Sequence, residues 1–228
     1  MRDIVYILKK DIDPYELTYS LRSVEKNFPH NRVWFVGYKP EGLTPDVELY
    51  HEQGGVNKWD LIRSSMWKAV HDDRLTNEFF LFNDDFFVMK KVKGEFVNFA
   101  EKTLSWRVDR IFEQYKWGNM YARTLIKARE ELKTLGSPEV NFEVHLPMLM
   151  NKQKVIESIY KVSSPQMRSV YGNINGIDYI ERDDVKVYDL ETVPDDPDYL
   201  STNEDTFRNG AVGEFIRSKF KKPSRFEK

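Results

Sequence analysis

The chain contains no cysteine in 228 residues. That excludes disulfides and thiolate metal sites, and it fits a reducing compartment. No apolar run approaches the roughly 20 residues that a membrane-crossing helix needs. The start, Met1-Arg2-Asp3 before a short apolar stretch, lacks the pattern of a secretory signal. A cytoplasmic location is the resulting expectation. Neither charge sign dominates: 35 Lys and Arg stand against 37 Asp and Glu, a net charge of −2, which argues against a chain held to nucleic acid by bulk charge. Glycine-rich phosphate loops of the Gly-x4-Gly-Lys-Ser/Thr or Gly-x-Gly-x-x-Gly type are missing, as are His-Glu-x-x-His and Gly-x-Ser-x-Gly. With thiolates absent and only four histidines, a bound metal falls to carboxylate and amide oxygens, hence to a hard cation such as Mg²⁺ or Mn²⁺. What is abundant is aromatic: 15 Phe, 12 Tyr and 5 Trp, enough with the other apolar residues for a full core.

One stretch organises the rest. After Glu78, Phe79-Phe80-Leu81-Phe82 is an unbroken apolar run, followed by Asn83-Asp84-Asp85 and then Phe86-Phe87-Val88-Met89. Such a run reads as a strand buried on both faces. Two adjacent carboxylates at its end are costly unless solvated, hydrogen-bonded or bound to a cation. Ligands in open α/β sheets bind beyond the carboxyl ends of the strands, so a divalent metal and a phosphate-bearing substrate are expected to meet here. The competing reading is a turn, since Asn and Asp are common turn residues.

The elements before it alternate. Ile4–Leu8 reads as a strand. A helix starts at Asp13-Pro14, with Asp13 as cap, Glu16 where a capping-box acid belongs, and Leu17, Leu21, Val24 and Phe28 at helical spacing. Arg32–Gly37 and Val47–Tyr50 read as strands. Gly54-Gly55-Val56-Asn57 reads as a turn into a helix carrying Trp59, Ile62, Met66, Ala69 and Val70. The predicted fold class is α/β: a Rossmann-like, GT-A-like, mostly parallel sheet flanked by helices, with a helical insertion or lid. Residues 1–93 form its Rossmann-like half. Residues 94–140, including a strand at Glu95–Ala100 and a charged helix at Met120–Leu135, form the insertion, a place for acceptor recognition. Residues 141–228 form a catalytic half, with strands expected at Phe142–Met148 and Val185–Leu190, a helix at Lys152–Tyr160 and an amphipathic helix at Thr206–Phe220.

Several side chains carry two readings each. His145, between apolar residues and before a proline, is either a hydrogen-bonded core histidine or a general base. Arg22 is either a solvated arginine or a phosphate fork, and Lys58 and Arg63 at the start of the second helix invite the same pair of readings. That helix's N-terminus would add its dipole toward an anion, with Asn57 as its cap.

Taken in order, these segments resemble the Stealth family of sugar-phosphate transferases. Asp3-Ile4-Val5-Tyr6 is similar to the first family block, although Ile7-Leu8-Lys9-Lys10 stands where a Trp-Val pair usually follows. Glu16-Leu17-Thr18-Tyr19-Ser20-Leu21-Arg22-Ser23-Val24-Glu25-Lys26 and Phe82-Asn83-Asp84-Asp85-Phe86-Phe87 resemble the second block. His145-Leu146-Pro147 resembles the third, with Arg168 as its arginine partner. Leu200-Ser201-Thr202-Asn203-Glu204-Asp205 and Lys222-Pro223-Ser224-Arg225-Phe226-Glu227 resemble the fourth. The resemblance spans nearly the whole chain. It implies a UDP-sugar donor, transfer of sugar-1-phosphate to a hydroxyl of a glycan or other polymer, and release of UMP. With that chemistry, the expected metal ligands are Asp84 and Asp85 with Asn203 or Asp205, the phosphates are held by Arg22, Lys58 and Arg168, Asn203 is also a candidate for substrate binding, and His145 takes the hydroxyl's proton. Two rivals remain open: a GT-A-like glycosyltransferase releasing UDP, and a non-catalytic nucleotide-sugar or glycan-binding module.

Overall fold

Strand β1 (Asp3–Leu8) lies at the centre of the molecule, and helix α1 (Pro14–Asn27) leaves its carboxyl end. The computed structural model describes residues 1–10, 12–51, 58–115 and 119–228, and of Lys58 and Trp59 the backbone alone. Asp13 caps α1 by accepting the Tyr15 N–H at 2.9 Å, and Pro14 takes the first helical position, where a missing N–H costs nothing. Glu16 does not close a capping box; its carboxylate instead accepts the Thr202 hydroxyl. Then follow β2 (Val33–Gly37), β3 (Val47–Tyr50), α2 (Lys58–Val70) and β4 (Glu78–Phe82). β1 pairs in parallel with β2 on one side and β4 on the other, and β2 pairs in parallel with β3. The chain therefore works outward from β1 to β3 and returns through α2 to the opposite side. α1 packs on one face of the sheet with Tyr6 and Leu8, and α2 on the other with Val5, Phe79 and Leu81. The strand order reverses between β1 and β4, and the crevice at such a reversal is where open α/β sheets bind ligands. At the other end of β1, Asp3 is fully buried and pinned by Asn31, Arg32 and the Trp34 indole, a structural anchor remote from that crevice.

After β4 come β5 (Phe86–Val88), β6 (Asn98–Thr103), α3 (Leu104–Gln114), α4 (Met120–Thr134), β7 (Val140–Asn141) and β8 (Met148–Asn151). β8 runs antiparallel to β4 and completes a five-stranded sheet in the order β3-β2-β1-β4-β8, a mostly parallel sheet flanked by helices. α3 and α4 form a hairpin around Leu104, Val108, Ile111, Leu125, Ala128 and Leu132. The charged residues of α4 lie off this apolar stripe. Among the described residues the first strand of this region is β6, three residues later than Glu95–Ala100.

The last stretch holds α5 (Lys152–Lys161), α6 (Met167–Ile174), β9 (Tyr179–Glu181), β10 (Tyr199–Ser201), α7 (Glu204–Asn209) and α8 (Ala211–Lys219). Three expectations are corrected here. Phe142–Pro147 is a loop between β7 and β8, and the strand lies at Met148–Asn151. Val185–Leu190 makes only an isolated bridge, Lys186 with Ser201. The helix expected at Thr206–Phe220 is two, broken at Gly210. α8 returns so close to α7 that a Cβ on Gly213 would run into the Phe207 carbonyl oxygen. The loop bearing His145 depends on a similar approach. A Cβ on Gly172 of α6 would lie 2.5 Å from the Phe142 ring. Gly172→Ala should therefore cost about 1–3 kcal/mol through overpacking, read as a lowered Tm in thermal unfolding.

Candidate active site

The two carboxylates stand where the sheet reverses. β4 ends at Phe82, Asn83 to Asp85 turn, and β5 begins, with the Phe86 N–H on the Asn83 carbonyl at 3.3 Å. α1 holds β5 in place of a second strand partner. Ser20 Oγ donates to the Phe86 carbonyl at 2.5 Å, Ser23 Oγ accepts the Val88 N–H at 3.0 Å, and Asn27 donates to the Val88 carbonyl at 2.7 Å. The turn is thus fixed at both ends. Burial, followed by the charge of Asp85, pushes the Asp84 carboxyl up to about 6. Lys186 places Nζ 2.7 Å from Asp85 Oδ2, while Asp85 Oδ1 is buried without a hydrogen-bond partner.

A divalent cation fits this pair. Mg²⁺ is commonly held by one or two carboxylates and completed by substrate phosphates, and an unpartnered carboxylate oxygen beside a proton-retaining carboxyl is a site short of positive charge. Of the two candidates for a third ligand, Asp205 does not join them. Asp205 lies exposed on α7, accepts a hydrogen bond from Asn209 at 2.8 Å and lines neither cleft at the pair. Among the described residues there is no group of three or more His, Asp or Glu arranged to hold a metal.

A cleft of about 320 Å³ opens on one side of the pair, with Asn83, Glu143, His145, Arg168 and Lys186 among its walls. His145 enters from the Phe142–Pro147 loop, which is tied to α6 by the Phe142 N–H on Ser169 Oγ at 3.1 Å and by Glu143 accepting the Ser169 N–H at 2.9 Å. Asp184 holds the histidine twice, accepting its backbone N–H at 3.0 Å and lying 2.8 Å from Nδ1 through Oδ2. Arg107 of α3 approaches the same carboxylate at 3.7 Å. Burial alone would raise the Asp184 carboxyl, but His145, its hydrogen bonds and Arg107 bring it down to about 2. A carboxylate only accepts, so Nδ1 carries the proton and Nε2 is the basic ring nitrogen.

Arg168, buried in the first turn of α6, donates to the Leu146 carbonyl at 2.7 Å, to Asn83 Oδ1 at 3.1 Å and to the Leu81 carbonyl at 3.3 Å, with its guanidinium 5.2 Å from the Phe86 ring centre. Burial lowers its pKa to about 10, against the pull of Glu143 and Asp85, so it stays charged at neutral pH. It ties the end of β4 to the histidine loop and holds a positive charge in the cleft wall.

The other arginines are engaged elsewhere. Arg22 lines neither cleft at the pair; it grips Glu227 through Nε at 2.8 Å and Nη2 at 2.5 Å, donates to the Phe220 carbonyl and stacks on Tyr19, pinning the C-terminal segment to α1. Arg63 donates to the carbonyls of Ile159 and Ser164, on a separate groove between α2 and α5. Asn57 lies outside the described residues, and Lys58 opens α2 with its side chain undescribed. Asn203 caps α7 in a capping box with Thr206 and lines a second cleft.

That second cleft, of about 460 Å³, adjoins the first and shares Lys9, Ile12, Asp84, Asp85 and Lys186 with it. Glu16 faces it. Burial, and then the charges of Asp85 and Asp84, push its carboxyl up to about 7 despite the Thr202 hydrogen bond. A carboxyl raised in the folded chain stabilises below its unfolded value of 4.5, and that stabilisation is lost as the pH climbs through 7. Glu16→Gln should accordingly raise Tm at pH 8 in a chelating buffer, by the equivalent of up to about 3 kcal/mol, and change it little at pH 4; differential scanning calorimetry at the two pH values checks this. Glu16, Asp184 and Lys186, with Glu143 and Arg107 beside them, are site residues that the sequence reading does not single out. Glu16 carried a signal, an acid at the third position of a helix whose cap was already supplied by Asp13. Asp184 carried none beyond standing next to Asp183.

No family model matches the chain, and no curated protein matches it. Among solved structures, the chain is similar to the crystal structure of the glycosyltransferase GlyE of Streptococcus pneumoniae TIGR4, with a TM-score of 0.48 and 11% identity over 96% of this chain and 59% of that one. The apo form of the same GlyE aligns with a TM-score of 0.43, again at 11% identity and the same coverage. The chain thus spans 59% of the length of these structures.

Proposed function

We propose that the chain is a transferase that moves sugar-1-phosphate from a UDP-sugar to a hydroxyl acceptor, with release of UMP, as its resemblance to the Stealth transferases implies. The observation that supports this reading is the convergence, in one cleft at the sheet's reversal, of the Asp84–Asp85 pair, the His145–Asp184 dyad and the Arg168 charge. Phosphoryl transfer asks a protein for alignment and charge neutralisation more than for covalent help.

Asp84 and Asp85 would hold Mg²⁺ or Mn²⁺, which when bound neutralises the diphosphate and polarises the phosphorus under attack. Lys186 orients Asp85 through its ion pair, and Arg168 adds a buried positive charge beside Asn83. His145, set by Asp184 with Nε2 basic, takes the acceptor hydroxyl's proton as the new oxygen–phosphorus bond forms and the bridging phosphorus–oxygen bond breaks, its electron pair leaving with UMP. The acceptor is a glycan or another polymer bearing free hydroxyls.

The test is to incubate the purified chain with a panel of UDP-sugars and Mg²⁺ or Mn²⁺, with and without hydroxyl acceptors, and to identify the nucleotide released. UMP is the expected product. UDP would show attack at the sugar carbon and make the chain a glycosyltransferase. Donor binding that ignores the metal, with no nucleotide released, would favour a binding module.

A further inference from the structure

Lys186 stands where a divalent cation would compete with it. Its Nζ lies 2.7 Å from Asp85 Oδ2, and the two side chains are only 15% and 14% exposed. Two contacts bring it there: Asp184 accepts the Lys186 backbone N–H at 3.4 Å, and Lys186 bridges to Ser201. The ion pair that orients Asp85 therefore also occupies one of its oxygens. Lys186 brings one positive charge to two adjacent carboxylates, and Asp85 Oδ1 stays buried without a partner. The pair holds Asp85 in place but leaves the site short of positive charge.

We infer that Lys186 is a resident counter-ion of the metal site: it holds Asp85 in the free chain and, when a divalent cation takes that carboxylate, passes its ammonium to the diphosphate of the donor. The inference rests on the reading of Asp84 and Asp85 as metal ligands and adds an order of events to it. Two carboxylates are few ligands for Mg²⁺ or Mn²⁺, whose other positions go to water and substrate phosphates. Among the described residues no group of three or more acidic or histidine side chains is arranged to do better. The free chain therefore binds the metal weakly, and the lysine keeps Asp85. Phosphate oxygens from the donor reverse that balance. Two positive charges then neutralise the two carboxylates, and Lys186 is left with an unpaired charge in a largely buried wall, which is costly unless an anion meets it. A diphosphate in the first cleft meets it, because Lys186 already lines that cleft. A lysine suits the exchange, since its compact ammonium rides on a flexible four-carbon stem. The Arg168 guanidinium in the same cleft is instead fixed by the carbonyls of Leu146 and Leu81 and by Asn83. Metal and diphosphate should thus bind cooperatively, each removing the obstacle to the other.

The experiment titrates Mn²⁺ into the full chain, following the electron paramagnetic resonance of the free ion, and then titrates UDP calorimetrically at saturating Mn²⁺. Lys186→Met keeps the stem and removes the charge. It should bind Mn²⁺ alone about tenfold more tightly than wild type and UDP with Mn²⁺ about tenfold more weakly, the scale of one charged-group hydrogen bond. A residue that only supports the fold would not move the two affinities in opposite directions. Lys186→Gln, neutral but still a donor, should move both the same way as Lys186→Met. Lys9→Met removes an exposed cation of the same cleft and should change Mn²⁺ affinity by no more than about threefold, as a solvent-screened charge does. Circular dichroism establishes that each variant is folded. Mn²⁺ affinity that the Lys186 variants leave unchanged or lower, an equal gain in Lys9→Met, or UDP affinity that does not fall would overturn the inference. The two readings fail separately. Mn²⁺ bound equally by wild type and Lys186→Met leaves Asp84 and Asp85 as metal ligands and removes the role of Lys186 alone. Mn²⁺ bound by neither chain, or no UDP binding by wild type, removes the underlying reading and the inference with it.

Discussion

Asp85→Asn should reduce turnover by at least about a hundredfold while the chain remains folded. The substitution keeps the size of the side chain and an acceptor oxygen for Lys186, which stands 2.7 Å from Oδ2, so packing is preserved. It removes the negative charge that, with Asp84, makes the end of β4 a place for a divalent cation. A free hydrogen-bonding turn does not bury a carboxylate oxygen without a partner, as the protein does with Asp85 Oδ1, so the pair is costly to the fold unless something positive completes it. Calorimetric titration of a UDP-sugar, with and without Mg²⁺, separates the two roles. Wild type should bind the donor more tightly with the metal, and Asp85→Asn should lose that increment. Because Asp84 holds its proton up to about pH 6, metal binding below that pH should release a proton and weaken as the pH falls. A folded Asp85→Asn chain with near-normal turnover would remove the pair from the chemistry and return it to the role of a turn.

The half of the fold that carries this pair is legible in the sequence because its strands are buried on both faces. Phe79 to Phe82 are all buried between two helical layers, and an unbroken apolar run is the direct image of that environment. Pattern and backbone part company in the second half. Phe142, Val144 and Leu146 are buried while Glu143 and His145 between them are only partly so, which is the alternation of a strand. The alternation is real, but its backbone partners are Ser169 and Asp184 side chains, not a neighbouring strand. Periodicity reports which side chains are buried and is blind to what satisfies the N–H groups between them. The same limit applies at Val185 to Leu190. The candidate site is legible where titratable groups sit in adjacent residues, as at Asp84 and Asp85, and at His145, whose imidazole is rare in this chain. Its remaining parts come from distant segments: Asp184 lies 39 residues from His145, and Glu16 lies 186 from Thr202. Arg22 carries two readings for the complementary reason. A helix position beside an apolar stripe fits a structural fork and a phosphate fork alike, and only the return of the C-terminal segment with Glu227 decides between them.

His145→Ala should lower turnover by roughly 10² to 10⁴-fold and leave donor affinity within a few-fold of wild type. The histidine is placed to move a proton, and proton transfer belongs to the transition state, so its loss should appear in kcat with little change in the calorimetric Kd. A drop in donor affinity that accounts for the whole loss would make the ring a binding group instead. Asp184→Asn extends the test, since Asp184 acts through the histidine. The carboxylate fixes the proton on Nδ1, balances a protonated ring and shares its charge with Arg107. An asparagine there can turn its NH₂ toward Nδ1 and stabilise the opposite tautomer, with the proton on the nitrogen that should accept it. Asp184→Asn should therefore fall between wild type and His145→Ala, and the double variant should be no slower than His145→Ala alone. Losses that instead multiply would mean that the two residues act separately. Asp184 would then be a support for the Phe142–Pro147 loop through the His145 backbone N–H, and a lowered Tm, matching the loss in Gly172→Ala, would accompany the lost activity.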